Sequence, residues 1–261
     1  MIENISASWY TNVMDEKILG LYAEIKVLEQ ENLFRHFFMQ LSKERQQKIE
    51  NCKTHAGQLQ SLGAWSLMNY GLQTCAGRCE RDSMIAYGVH GKPYLRAETQ
   101  IFFNLSHSGD YVLAVFAPVE VGCDIQKRVE RTQNTRMAER FFTRQEQCAM
   151  KQGTDFFRIW ARKESYLKWC GDGMARDLRS VDVTASVGMD GTCFEDMAFQ
   201  DASGAAYVLA VCHAAEQRLP ILWKKIDLKE VYENDGKTKG SKNKCDAYFG
   251  ADEAAVYASD I

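Results

Sequence analysis

Glu164 and Lys168 stand four residues apart in the run Trp160-Ala-Arg-Lys163-Glu164-Ser-Tyr-Leu-Lys168-Trp-Cys-Gly171-Asp-Gly173. On a helix this spacing puts both on one face with Trp160, and the glycines end the helix. A carboxylate and an ammonium beside an apolar anchor suit a site that holds a divalent metal and a phosphate. An isolated Glu-x-x-x-Lys more often makes a surface pair worth about 0.2–0.5 kcal/mol. The chemistry therefore depends on the motifs that accompany it.

Four such motifs precede it. In Val121-Gly122-Cys123-Asp124-Ile125-Gln126, strand alternation sends Val121, Cys123 and Ile125 to the core. Gly122, Asp124 and Gln126 then share the other face. A carboxylate in so apolar a strand needs a metal ion or a basic partner. Phe103-Asn104-Leu105-Ser106-His107-Ser108-Gly109-Asp110 begins as a strand and ends in a polar turn. Ser106 and His107 are adjacent, which is poor geometry for a hydroxyl–imidazole catalytic pair, and no G-x-S-x-G elbow occurs. Their chemistry suits gripping a phosphate, or else a hairpin corner with local hydrogen bonds. Gly91-Lys92-Pro93-Tyr94 fixes a loop from which Lys92 projects as a point charge. Arg45 and Lys48, three apart near a helix start, can flank an anion or simply face solvent.

These motifs need elements to position them. Helical pattern dominates residues 14–50, with Leu19, Tyr22, Ile25, Leu33, Phe34 and Phe37 as core positions, and a second helix is expected over 55–75. Residues 84–126 read as strands broken at Gly88, Gly91-Lys92-Pro93 and Ser108-Gly109. Helices are expected over 134–152 and 155–170, and strands again from 181 to 213. Residues 233–245 form a polar, Lys- and Gly-rich linker, and Ala251–Ser259 allow a short helical segment. The segment Ser108-Gly-Asp-Tyr111-Val-Leu-Ala-Val115 recurs as Ser203-Gly-Ala-Ala-Tyr207-Val-Leu-Ala-Val211, about one small domain later. A duplicated α+β half explains this economically, and two halves meeting face to face leave a cleft for a ligand. The expected division is 1–118, an N-terminal half; 119–226, a C-terminal half with the metal-site motifs; and 227–261, a linker and tail.

The 261 residues carry a formal charge of -3, with 46% hydrophobic and 26% charged, which suits a soluble globular protein and points to no nucleic acid partner. The start, MIENISASWY, lacks a signal-peptide layout, and no apolar run is long enough for a bilayer, so no membrane association is expected. Nine cysteines in that context read as reduced thiols in a cytoplasmic protein. Cys52-x-x-His55 and Cys75-x-x-x-Cys79 offer four zinc ligands only at unusual spacings in helix-like sequence.

Taken in order, Gly91-Lys92-Pro93, Asn104 to Ser108, Gly122 to Gln126 and Trp160 to Gly173 resemble the phosphopantetheinyl transferases of the larger, surfactin-type class. Ala138-Glu-Arg140-Phe-Phe-Thr143, between the last two, fits the same pattern. The resemblance covers roughly residues 40–215. It implies an α+β fold of two similar, pseudo-twofold-related halves, with coenzyme A in the cleft between them. It implies Mg²⁺-dependent transfer of 4'-phosphopantetheine from coenzyme A to a serine of an apo acyl or peptidyl carrier protein, releasing 3',5'-adenosine bisphosphate. By resemblance Asp124 and Glu164 are the metal carboxylates, with Gln126 where many members have a third. Lys168, Ser106 and His107 match phosphate-contacting positions. Lys92 and Pro93 match a cofactor contact, and Arg45 and Lys48 the basic residues at the 3'-phosphate. Glu164, Lys168, Asp124 and His107 are the expected catalytic set. Glu164 and a metal-bound water are the candidates to take the serine proton. Leu59-Gln60 stands where the family often has Arg-Thr at the nucleotide. With Gln126 this keeps a second reading open, a non-catalytic coenzyme A or carrier-protein binding module. Arg136, Arg140 and Arg144 would form a basic stripe for an acidic carrier. The doubled chain suits a monomer.

Overall fold

The computed structural model describes residues 17–83, 85–96, 101–129, 132–173, 176–188 and 191–238. They form a mixed α+β fold. The first sheet has the order β4-β5-β1-β9, built from β1 (Ile18–Glu24), β4 (Phe102–Ser108), β5 (Tyr111–Ala117) and β9 (Ile221–Lys225). The second has the order β6-β8-β7, from β6 (Val121–Lys127), β7 (Thr192–Gln200) and β8 (Ala206–Ala214). β2 (Ile85–Tyr87) and β3 (Pro93–Leu95) make a separate two-stranded hairpin. All pairings are antiparallel except that of β1 with β9.

The central strands β5 and β8 are apolar along almost their whole length because each is covered on both faces. Tyr111, Leu113, Val115 and Ala117 of β5 meet Tyr207, Leu209 and Val211 of β8 in one cluster between the sheets. Val112, Ala114 and Phe116 turn the other way, onto a cluster with the helices α1 (Glu31–Gln40) and α3 (His55–Ala76). Tyr111 and Tyr207, the matching tyrosines of the repeated segment, face each other at 4.7 Å between ring centroids. The repeat thus becomes the two strands that face each other across the core.

Helix α3 occupies the expected second-helix segment, capped by Thr54 and ended by Gly77 in the left-handed region. The first expected helix differs. Ile18–Glu24 forms β1, and helix begins only later, with α1 and then α2 (Lys43–Glu50). The run is buried from both sides: Leu21 and Ala23 join the helix-side cluster, and Ile18 joins the one between the sheets. Such a run has no period that separates helix from strand; pairing with β5 and β9 decides it. Of the six core positions expected there, Ile25, Leu33 and Phe37 are buried, while Leu19, Tyr22 and Phe34 are half-buried.

The segment expected as one helix over 134–152 is two, α4 (Thr132–Phe141) and α5 (Arg144–Lys151). Thr143 separates them as an N-cap: its hydroxyl accepts from the Glu146 N–H, and the Glu146 carboxylate accepts from the Thr143 N–H. Arg144 therefore starts a new helix and does not continue an arginine stripe with Arg136 and Arg140, although all three are exposed. Helix α6 (Phe156–Cys170) packs on the outer face of the second sheet.

The C-terminal region also departs from the expected division. β9 lies within 119–226 yet completes the first sheet beside β1. Helix α7 (Leu228–Thr238) then runs into the segment expected as linker, with Leu228 buried in the first cluster. Residues 239–245 and Ala251–Ser259 lie outside the described residues. Among those described, no helix is long and apolar enough to cross a membrane.

Candidate active site

The site lies where β6, β4 and α6 converge. β6 pairs with β8 on one side only, so its other edge needs hydrogen-bond partners. Side chains of β4 supply them: the Cys123, Ile125 and Lys127 N–H groups donate to Asn104 Oδ1, Ser106 Oγ and Ser108 Oγ at 3.0, 3.3 and 2.9 Å. The alternate polar residues of Asn104-x-Ser106-x-Ser108 are therefore a seam between the two sheets. This sets Ser106 beside Asp124.

Gly122 brings the helix in. A Cβ there would lie 2.0 Å from the Ser165 carbonyl oxygen and 2.3 Å from the Trp169 nitrogen, so α6 rests directly on β6. Gly171, at φ +73°, ends α6 as its left-handed cap. Glu164 and Lys168, one turn apart on the face toward β6, then reach Asp124.

Asp124 is buried and accepts three hydrogen bonds. Lys168 Nζ and the Ser106 hydroxyl donate to Oδ1, both at 2.7 Å, and Gln126 Nε2 donates to Oδ2 at 2.6 Å. Lys168 also donates to Ser106 at 2.8 Å. Burial works against the Lys168 ammonium, but Asp124 and its other neighbours outweigh it and hold its pKa above the ordinary lysine value. Burial, and then the charge of Asp124, raises the Glu164 carboxyl. No hydrogen bond or ion pair holds the Glu164 carboxylate among the described residues. Two neighbouring carboxylates, one with its oxygens uncommitted, are the donor set a hard divalent cation takes. Gln126, at the position of a third metal ligand by resemblance, presents its amide NH₂ to Asp124. A hydrogen bond to an ionised carboxylate is strong enough to fix that orientation.

Glu164 and Lys168 line a cavity of about 260 Å³ together with Lys92, Pro93, Asn104 and His90. Lys92 donates to Glu120 at 2.8 Å and to the Trp169 carbonyl at 3.1 Å, at the negative end of α6. His107 is exposed and, by strand alternation, points away from the Ser106 side. It still feels the cluster: the partial burial of its ring and the Lys168 charge push its pKa down, against the pull of Asp124.

Residues 120–218 match the model of the 4'-phosphopantetheinyl transferase superfamily. The chain is 33% identical over 150 residues to the 4'-phosphopantetheinyl transferase psf-1 of Bacillus pumilus, covering 51% of this chain and 63% of the relative. It is 39% identical over 107 residues to AcpT of Salmonella typhi, covering 38% and 55%. To Sfp of Bacillus subtilis it is 26% identical over 173 residues, covering 64% and 75%. It thus spans less than two thirds of the length of the first two relatives.

The matched segment contains Asp124, Gln126, Glu164 and Lys168, while Arg45, Lys48, Lys92, Pro93, Ser106 and His107 precede it. Arg45 lines a cavity separate from that of Glu164 and Lys168, and Lys48 stands over Tyr87, which lines it too. Arg45 stacks on the Trp65 ring at 3.4 Å and donates to the Tyr87 hydroxyl. Its cavity, of about 370 Å³, also takes in Arg96 and Glu80. Lys48 pairs with Glu44 at 2.6 Å and lies 4.1 Å over the Tyr87 ring. The β2–β3 hairpin connects the two places, with Tyr87 at one and Lys92 at the other. Leu59 belongs to the core, and Gln60 tethers the Gly109 carbonyl at 2.9 Å.

Sequence reasoning missed the supports of α6. Lys163 is fully buried, paired with Glu146 at 2.8 Å and donating to the Leu178 and Val181 carbonyls, both at 2.7 Å. Burial alone pushes the Lys163 ammonium down and the Glu146 carboxyl up. Arg162 binds Asp196 and the carbonyls of Val183, Thr184 and Ala185. The Lys-Glu dipeptide thus divides its work: Lys163 anchors the helix while Glu164 faces the cavity. Cys52, His55, Cys75 and Cys79 form no metal-ligand cluster among the described residues. Burial pushes the Cys75 thiol up to about 12.

Proposed function

We propose that this chain transfers the 4'-phosphopantetheine arm of coenzyme A to a serine hydroxyl of an apo acyl or peptidyl carrier protein. One observation carries the reading: Glu164 and Lys168 converge on Asp124 beside a cavity that Lys92 also lines. The named relatives are transferases of this kind, which supports it. The serine oxygen attacks the β-phosphorus of coenzyme A. The bond from that phosphorus to the bridging oxygen breaks, and 3',5'-adenosine bisphosphate leaves. A Mg²⁺ ion held by Asp124 and Glu164 would supply charge neutralisation at the pyrophosphate.

Lys168 places a second positive charge at the same oxygens, held in position by Ser106 and Asp124. Lys92 adds a third from the hairpin, and Pro93 stiffens the loop that carries it. His107, whose pKa is held down, contacts phosphate as a neutral donor from the strand edge. Glu164 takes the serine proton, since no hydrogen bond or ion pair among the described residues commits its carboxylate and it lines the cavity. Arg45 and Lys48, one hairpin away, meet the 3'-phosphate of the nucleotide. The two chain halves form the cleft within one monomer. The exposed Arg136 and Arg140 steer an acidic carrier, so reversing both to Glu should raise the carrier KM and leave coenzyme A binding unchanged. A reducing cytoplasm is the setting, in keeping with the free state of every described cysteine.

Intact-mass measurement of several apo carriers with coenzyme A and Mg²⁺ tests this directly. A gain of one phosphopantetheine is expected on at least one carrier, and its loss in Asp124→Ala and Glu164→Ala proteins that stay folded. Coenzyme A binding with no mass gain on any carrier would instead favour the non-catalytic binding module.

A further inference from the structure

The second sheet carries another cluster of ligand-type side chains. Cys193 of β7 pairs directly with His213 of β8, and Glu195 follows two residues along. The three therefore share one face of the sheet. Asp124 lies on the opposite face, because it pairs with Ala210, which in turn pairs with Asp196. The thiol, carboxylate and imidazole donor atoms all lie within 4.8 Å of one another.

His213 is the informative member. It is fully buried, and its Nδ1 lies 2.9 Å from the Ala214 carbonyl oxygen. A carbonyl only accepts, so Nδ1 carries the proton and Nε2 keeps its lone pair. That Nε2 is buried and has no hydrogen-bond partner among the described residues. A ring nitrogen fixed by a backbone carbonyl with its other nitrogen open is how proteins present histidine to a metal. Cys193 is fully buried as well, while Glu195 is half-buried and leaves the cluster open on its side. Arg218, an exposed cation, is the positive charge that bears on all three.

We propose that Cys193, Glu195 and His213 form a binding site for a zinc-class divalent cation that ties β7 to β8, on the sheet face opposite Asp124. Thiolate with imidazole selects a borderline or soft ion over Mg²⁺, and three protein ligands leave a fourth position for water or an anion. The site is independent of the proposed transfer reaction, and its tests need no activity.

The chelator-stripped full chain is titrated with Co²⁺ and then with Zn²⁺. One equivalent of Co²⁺ should produce a near-ultraviolet sulfur-to-cobalt charge-transfer band that Zn²⁺ removes and excess Mg²⁺ leaves unchanged. Cys193→Ser should lose the band. Glu195→Gln, at a half-exposed strand position, should keep it with affinity lowered at least about tenfold. Arg218→Ala should bind more tightly. If Cys193→Ser fails to fold, zinc-edge X-ray absorption on the wild-type protein decides. One sulfur at about 2.3 Å with nitrogen and oxygen at about 2.0–2.2 Å is expected. A wild-type protein without the charge-transfer band, a zinc shell without sulfur, or a Cys193→Ser spectrum identical to wild type would overturn the proposal.

Discussion

Replacing Gln126 by Glu tests the charge balance around Asp124 most sharply. The Gln126 amide donates to Asp124 Oδ2 at 2.6 Å, and the substitution puts a second carboxylate at that distance. The lost hydrogen bond to a charged group is worth about 1.5–3 kcal/mol. Two unit charges at 4 Å repel by about 4 kcal/mol at an effective dielectric of 20. Lys168, already on Oδ1, offsets part of this, and uptake of a proton relieves more. A net loss of about 2–4 kcal/mol at neutral pH without Mg²⁺ is expected, or roughly 4–16 °C in thermal midpoint. The new carboxyl's folded-state pKa is raised by its neighbour. Its protonated form is then favoured by folding, so the deficit should grow as pH rises and shrink at mildly acid pH. Mg²⁺ should reverse the order: the variant gains more thermal stability from the ion than wild type does, and its transfer rate reaches half-maximum at lower Mg²⁺. Unfolding curves with and without Mg²⁺ at two pH values, with a Mg²⁺ titration of transfer, measure both effects. Equal stabilities and equal Mg²⁺ midpoints would refute the placement of Gln126 beside the metal carboxylates.

Gly122→Ala sets a methyl 2.0 Å from the Ser165 carbonyl oxygen, so α6 must move by more than about 1 Å from β6 to restore a contact of about 3.3 Å. Denaturant unfolding should show a cost of about 1–3 kcal/mol, and transfer should fall by about a hundredfold as Glu164 and Lys168 shift from Asp124. Lys163→Met strands the Glu146 carboxylate in the core and should cost about 3–5 kcal/mol, whereas Lys163→Met with Glu146→Gln should be less unstable than the single change; additive losses in a double-mutant cycle would contradict this. The raised Glu164 carboxyl favours the folded state at low pH and loses that contribution as pH rises through its folded value. Glu164→Gln should accordingly raise the Mg²⁺-free thermal midpoint at neutral pH, leave it nearly unchanged in acid, and abolish the response to Mg²⁺.

Positions governed by short-range geometry were legible from the chain alone. The four-residue step from Glu164 to Lys168 and the two-residue step from Asp124 to Gln126 are set by helix and strand periods, which put each pair on one face. The buried strands at Tyr111 and Tyr207 announce themselves as short apolar runs. What stayed hidden depends on partners distant in the chain. β1 reads like helix because its pairing partner β9 lies two hundred residues away. Lys163 looks like one more surface charge until Glu146 is placed beside it. Ser106 and His107 read as a phosphate grip or a hairpin corner, whereas β6 draws on Asn104, Ser106 and Ser108 to satisfy its edge. Cys193, Glu195 and His213 become neighbours only through cross-strand register.

The parallel pairing of β1 with β9 has a consequence for how the chain is made. β1 leaves the ribosome among the first described residues, but its outer neighbour, Ile221–Lys225, is among the last. The first sheet therefore waits, with one edge of β1 unpaired and the Trp223 side chain not yet covering Gly20, until nearly the whole described chain has been translated. Vectorial synthesis cannot finish the first half and then add the second. A nascent chain stalled anywhere between β5 and β9 presents that bare edge to chaperones and to other nascent chains. Completion comes in one late step, when β9 arrives and closes the sheet.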